Sequence, residues 1–138
     1  MVKLENKLKS GKIKIGILGG TFDPAHKGHL EVSKQAKKRF GLKKIVWAIT
    51  KQNPFKDESK SNLRSRMQFA KKIIGKNNYI KVKFYEEKIG SNRTIDLIKY
   101  LNKEESREIY FIMGADNLIN FHKWYKWKSI IKKCNILV

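Results

Sequence analysis

Two histidines three residues apart, His26 and His29, close the run Gly19-Gly20-Thr21-Phe22-Asp23-Pro24-Ala25-His26-Lys27-Gly28-His29, which follows directly on the apolar stretch Ile13 to Leu18. Gly19 and Gly20 carry no Cβ, so the chain can turn sharply there and bring its N–H groups against a ligand. A helix starting near the histidines adds unpaired N–H groups and the positive end of its dipole, which together favour an anion. At i and i+3 the two imidazoles project on one side of that helix, and Gly28 between them leaves room for a ligand against the backbone. The chemistry this suits is the grip of a phosphate. A zinc site would need a third ligand from His122, an acidic side chain or Cys134. Taken singly, either histidine reads as a surface residue at a helix start. The run lacks the Gly-Lys-Ser/Thr of a phosphate loop, and Gly16-Ile17-Leu18-Gly19-Gly20 breaks the dinucleotide-binding glycine pattern after its first glycine.

The elements that must position this run are legible as periodicities. Lys12-Ile13-Lys14-Ile15 alternates and then turns apolar, as a strand does on entering a sheet covered on both faces. Leu30, Ser33, Ala36 or Lys37, and Phe40 share a helical face that Gly41 is placed to end. Lys43 to Thr50 reads as a second strand. Leu63, Met67, Ala70 and Ile74 predict a helix closed by Gly75. In Tyr79 to Tyr85 the alternation turns Ile80, Val82 and Phe84 inward from a third strand. A helix from about Thr94 to Leu101, a strand over Glu108 to Gly114, one helical stretch from about Asp116 through Lys133 and a final strand at Asn135 to Val138 follow. Strands alternating with helices at this pitch imply an α/β fold: a Rossmann-like, doubly wound, open parallel sheet of about five strands in a single domain. The domain is expected over residues 13–138, after a basic N-terminal extension over residues 1–12. Ligands of such sheets bind outside the carboxyl ends of the strands, where the loops after the first and fourth strands lie.

Composition narrows the partners. The 138 residues hold 32 Lys and Arg against 12 Asp and Glu, a formal charge of +20. The lysines are scattered over every segment, with no zinc spacing or RNP-like aromatic signature, so the charge reads as solvated faces that draw anionic nucleotides rather than as a nucleic-acid site. No apolar run is long enough to span a bilayer and no secretion signal opens the sequence, so a cytoplasmic protein without a membrane partner is expected. The lone Cys134 reads as a small buried apolar residue.

The eleven-residue run resembles the signature of the nucleotidyltransferase superfamily marked by His-x-Gly-His, in the form that bacterial nicotinate-nucleotide adenylyltransferases carry. Further resemblances follow in order: Asn53-Pro54-Phe55-Lys56 to a Pro-x-Lys stretch, Arg64 and Met67 to an Arg-x-x-Met spacing, Arg93 to Leu101 to a Thr-containing helix start, and Gly114-Ala115-Asp116 with Trp124-Tyr125 to a Gly-x-Asp segment and its downstream Trp-Tyr. The resemblance implies transfer of the adenylyl group of ATP to nicotinate mononucleotide, with Mg2+ held mainly by the ATP phosphates. It implies His26 and His29 as the catalytic pair, Gly19, Gly20, Thr21, Phe22, Gly28 and Lys56 around the ATP phosphates, and Thr94, Asp116, Trp124 and Tyr125 around the acceptor. No protein metal ligand is assigned. Other acceptors in the superfamily, phosphopantetheine or a polyol phosphate, remain alternatives, as does an inactive basic fragment that binds nucleic acid. The family extends beyond the position of Val138, so the resemblance implies a domain truncated at its C-terminal end, and a homo-oligomer is left open. By periodicity alone, Phe121, Trp124 and Tyr125 are what a core-facing helix presents. Asp116 fits either a ligand hydroxyl or a helix cap.

Overall fold

The computed structural model describes residues 3, 4, 12–51, 62–103 and 106–138. In chain order its elements are β1 (Lys3–Leu4), β2 (Ile13–Gly20), α1 (Lys27–Phe40), β3 (Lys44–Ile49), α2 (Leu63–Ile74), β4 (Ile80–Lys83), α3 (Glu86–Ile89), α4 (Thr94–Leu101), β5 (Arg107–Ile112), α5 (Ala115–Ile119), a 3-10 turn (Phe121–Lys123), α6 (Trp127–Lys133) and β6 (Asn135–Leu137). The sheet order is β1-β6-β5-β2-β3-β4. The strands from β2 to β6 are parallel to their neighbours, and β1 alone runs antiparallel, Lys3 opposite Leu137. The two-residue β1 lies within the stretch read as a basic extension.

Two apolar layers explain why this sequence folds so. Ala36 of α1 with Ala70 and Ile74 of α2 packs on one face of the sheet with Ile45, Trp47 and Ile112. On the other face Ile95, Ile98 and Leu101 of α4 and Ile130 of α6 pack with Ile15, Ile17, Ile109 and Phe111. Each such isoleucine, leucine or phenylalanine side chain taken fully from water contributes roughly 1.5–3 kcal/mol. In the interior of β2 a Cβ on Gly16 would lie 2.6 Å from Ile45 Cδ1 and 2.9 Å from Leu42 Cδ1, so this glycine answers a packing demand. Gly41 does end α1 in the left-handed conformation, at φ 65 and ψ 36.

The chain winds outward from β2 through β3 to β4, then crosses back to lay β5 on the other side of β2. That reversal parts the loops after β2 and β5 and opens a crevice above the strand ends. Two expectations need correction. The third strand stops at Lys83, and Phe84 lies beyond it, half-buried but still packed against the core. The helix expected from Asp116 through Lys133 is three short pieces, broken where Asn120 leaves helical geometry, Trp124 becomes extended and Lys126 turns left-handed at φ 52. Its aromatic residues have different destinations: Phe121 is buried in the core, Trp124 is half-buried and Tyr125 is exposed, which one straight helix face cannot satisfy.

Candidate active site

The crevice is a cavity of about 1200 Å3 over the carboxyl ends of β2, β3 and β5. That exceeds the roughly 300–1,000 Å3 typical of a site for one small ligand. Gly19, Gly20, Thr21, Phe22, His26, Gly28, His29, Thr94, Asp116, Trp124 and Tyr125 all line it, although they come from widely separated segments of the chain. Lys56 lies outside the described residues, as do Asn53, Pro54 and Phe55.

The histidines set their own geometry. His26 is the N-cap of α1, its Nδ1 accepting the Gly28 N–H at 3.0 Å, while His29 Nδ1 accepts the His26 N–H at 3.1 Å. An imidazole that accepts at Nδ1 carries its proton on Nε2. Each ring is therefore a donor through Nε2, and the two rings lie together with centroids 3.9 Å apart. This modifies the role expected of Gly28. Its N–H is engaged by His26, and a Cβ there would sit 2.8 Å from the His26 ring, so the space over Gly28 belongs to the imidazole itself.

The turn is also made differently from the expectation. Gly19 and Gly20 stay in β2, paired with Ala48 and Ile49. A Cβ on either would meet only ordinary contacts, 3.5 Å to Phe111 and 3.6 Å to Phe22. Phe22 makes the reversal, with φ 50, ahead of a cis Asp23–Pro24 bond. A left-handed non-glycine residue costs about 1–2 kcal/mol. Burial of the Phe22 ring offsets this: it stacks on Trp47 at 5.1 Å and leans on His29 at 4.6 Å. Trp47 in turn donates to Ser33 Oγ at 2.8 Å, and Ser33 donates to the His29 carbonyl at 2.9 Å. An aromatic stack and a two-bond chain thus fix the His29 end of α1.

A buried cation completes the scaffold. Arg66 of α2, 3% exposed, donates to the carbonyls of Thr21 at 2.8 Å, Thr50 at 2.7 Å and Lys51 at 2.8 Å, tying the ends of β2 and β3 together. The Arg-x-x-Met spacing pointed to Arg64, which is exposed. The signal for Arg66 was positional: it follows Leu63 by three and precedes Ala70 by four, on the face that packs inward. Glu86 accepts the Lys51 N–H at 3.0 Å at the same rim. Burial holds its carboxyl above the ordinary range, against the opposing pull of the Lys51 N–H and the Arg66 and Lys51 charges.

Across the cavity the residues are less tightly bound to one another. Thr94 opens α4, and the Arg93 guanidinium lies 4.0 Å from the Tyr125 ring centroid. Trp124 meets Phe121 and Phe111 edge-on at 5.2 and 6.0 Å. Asp116 falls in the first turn of α5, whose N-cap is Gly114, so the carboxylate does not serve as the cap. Its Oδ1 stands 2.5 Å from where a Gly114 Cβ would be, so a side chain at position 114 would make the Asp116 carboxylate turn aside. Cys134 is fully buried with its thiol pushed up to about 12 by burial, an inert packing residue.

Comparison with known proteins bears on this geometry directly. Residues 17–138 match the cytidylyltransferase-like family. Over all 138 residues the chain is 78% identical to a probable nicotinate-nucleotide adenylyltransferase of Pelagibacter ubique (strain HTCC1062), 77% of whose length it covers. The chain belongs to the nicotinate-nucleotide adenylyltransferase family. A second such adenylyltransferase, from Bradyrhizobium sp. (strain ORS 278), is 37% identical over 127 residues, 91% of this chain and 66% of that one. The fold matches that of the Plasmodium falciparum nicotinic acid mononucleotide adenylyltransferase complexed with NaAD, with a TM-score of 0.75 and 22% identity over 86% of this chain and 60% of that chain. Among the described residues, no helix of this family member is long and apolar enough to cross a membrane.

Proposed function

We propose that the chain transfers the adenylyl group of ATP to the phosphate of nicotinate mononucleotide in the cytoplasm. An oxygen of that phosphate forms a bond to the α-phosphorus, the bond from that phosphorus to the β-phosphate oxygen breaks, and pyrophosphate leaves with the electron pair. The observation that carries this reading is the paired imidazoles with both Nδ1 atoms engaged as acceptors, on the floor of a cavity larger than one nucleotide needs.

The nucleophile is already anionic, so the site needs no general base. Its task is to align two polyanions and offset charge on the leaving oxygens. His26 and His29 donate to the ATP phosphates through Nε2, at the positive end of α1. Gly19, Gly20, Thr21 and Phe22 form the floor beneath, with glycines leaving it open. Lys56, which follows β3 in the sequence, is assigned as a further cation toward the phosphates. An ion carried in by the triphosphate would need few protein ligands. Mg2+ there supplies charge neutralisation on the phosphate oxygens.

At the other wall Trp124 offers an indole face to the cationic pyridine ring, while backbone amides near Thr94 and Tyr125 serve its carboxylate and Asp116 a ribose hydroxyl. The test is pyrophosphate release and calorimetric binding with ATP, nicotinate mononucleotide and Mg2+ supplied singly and together. Release is expected only with all three present. A chain that binds neither nucleotide and releases no pyrophosphate would overturn the reading.

A further inference from the structure

Trp124 cannot by itself tell nicotinate mononucleotide from nicotinamide mononucleotide, because the pyridine ring is cationic in both and the indole attracts either. The difference between them is one carboxylate against one carboxamide. Beside the backbone amides near Thr94 and Tyr125, a cation near Trp124 whose hydrogen-bond donors are not already spent would add to the discrimination.

Arg93 meets that description. It is the exposed residue immediately before α4, and its backbone is fixed: its N–H bonds to Ser91 Oγ at 3.0 Å, and Ser91 Oγ donates to Asp96 Oδ2 at 2.6 Å. That pairing engages Asp96 with Ser91. Among the described residues, no carboxylate lies within ion-pair distance of the Arg93 guanidinium. What holds the guanidinium is the Tyr125 ring, 4.0 Å away, on the loop that also carries Trp124. Arg93, Thr94, Trp124 and Tyr125 all line the cavity. A guanidinium resting on an aromatic face keeps its N–H donors at its edge, in the planar fork that matches a carboxylate. Lys126, with its Nζ 5.4 Å from the same ring, adds a second positive charge to this corner.

We propose that Arg93 is a specificity-determining residue, held on Tyr125 so that its guanidinium pairs with the carboxylate of nicotinate mononucleotide and disfavours the carboxamide. This rests on the adenylyltransferase reading above. Selection works in both directions. The nicotinate form brings a negative charge to the two cations, whereas the nicotinamide form brings only an uncompensated pyridinium to a positive corner.

Calorimetric titration of the whole chain with each mononucleotide separates the possibilities. Wild type is expected to favour the nicotinate form. Arg93→Gln weakens nicotinate mononucleotide by about 10–100-fold, the loss of a charge-assisted pair. Its affinity for nicotinamide mononucleotide holds or improves, and its ATP affinity and melting temperature stay unchanged. Arg93→Lys restores only part of the preference, since an ammonium neither forks nor lies flat. An Arg93→Gln protein with an unaltered ratio between the two mononucleotides overturns the inference and leaves the adenylyltransferase reading standing. A wild type that binds neither mononucleotide nor ATP overturns both.

Discussion

The two walls of the cavity are built on different principles. The β2–α1 wall is internally bonded: His26 and His29 cap each other's backbone, Phe22 is wedged against Trp47 and His29, Ser33 links Trp47 to the His29 carbonyl, and Arg66 clamps three carbonyls from behind. The opposite wall, from Gly114 to Trp127, is a string of short turns held by edge-on aromatic contacts, with Ile119 74% and Tyr125 49% exposed. A wall whose polar groups already satisfy one another is rigid before the ligand arrives, which suits charge stabilisation during bond exchange. A wall of aromatic surfaces on short turns adapts to the shape of a ring, which suits binding. The division predicts that changes to the first wall lower turnover, and changes to the second shift affinity for one substrate.

The largest break in that contrast comes from His26. Alanine there would remove the N-cap as well as the donor, so the informative change is His26→Asn, since asparagine is itself a good cap. Helix stability should then hold, while kcat/KM falls about 100–1,000-fold with the lost donor, as for an oxyanion-hole group. Steady-state pyrophosphate release read beside thermal melting checks both halves, and a parallel fall in stability would mean that capping was the residue's whole contribution. Next in size is Arg66→Met, which leaves the carbonyls of Thr21, Thr50 and Lys51 without their charged donor. Urea unfolding should show a loss of about 2–3 kcal/mol. ATP affinity should fall with it, while nicotinate mononucleotide affinity stays near wild type.

The same contrast marks what the sequence revealed and what it concealed. The β2–α1 wall was legible because its residues are contiguous: eleven positions between a strand and a helix carry the turn, the cap and the imidazoles. The parallel sheet was legible because period-2 and period-3.6 patterns alternate along the chain. Misread details were those settled by three-dimensional crowding. Gly28 exists to admit the His26 ring, and Phe22, a residue type that favours neither φ > 0 nor a turn, makes the reversal because Trp47 lies beneath it. Arg66 was missed because a charged residue on an inward helical face reads as an interruption of the apolar pattern until three carbonyls are found around it. The stretch from about Asp116 through Lys133 reads as one helix because Phe121, Trp124 and Tyr125 keep helical spacing. Nothing local to that segment, which has no internal glycine or proline, announces that the rings go to core, cavity and solvent.

The smallest effect sharpens the contrast most. Trp124→Leu should weaken binding of both nicotinate and nicotinamide mononucleotide, each by about 5–10-fold, the worth of roughly 1 kcal/mol of cation–π attraction. ATP binding should not change, because no phosphate contact is assigned to that wall. Trp124→Phe should fall between, since a phenyl face attracts a cation less than an indole does but still meets Phe111 and Phe121. Titration of the two mononucleotides against all three proteins distinguishes this from a packing role. If leucine and phenylalanine weaken binding equally, the ring face is not what the ligand meets. If the nicotinate form alone weakens, Trp124 has been reading the carboxylate through Tyr125. Equal weakening of both forms in Trp124→Leu, set against selective weakening in Arg93→Gln, would mean that the adaptable wall divides its work between a ring that binds and a cation that chooses.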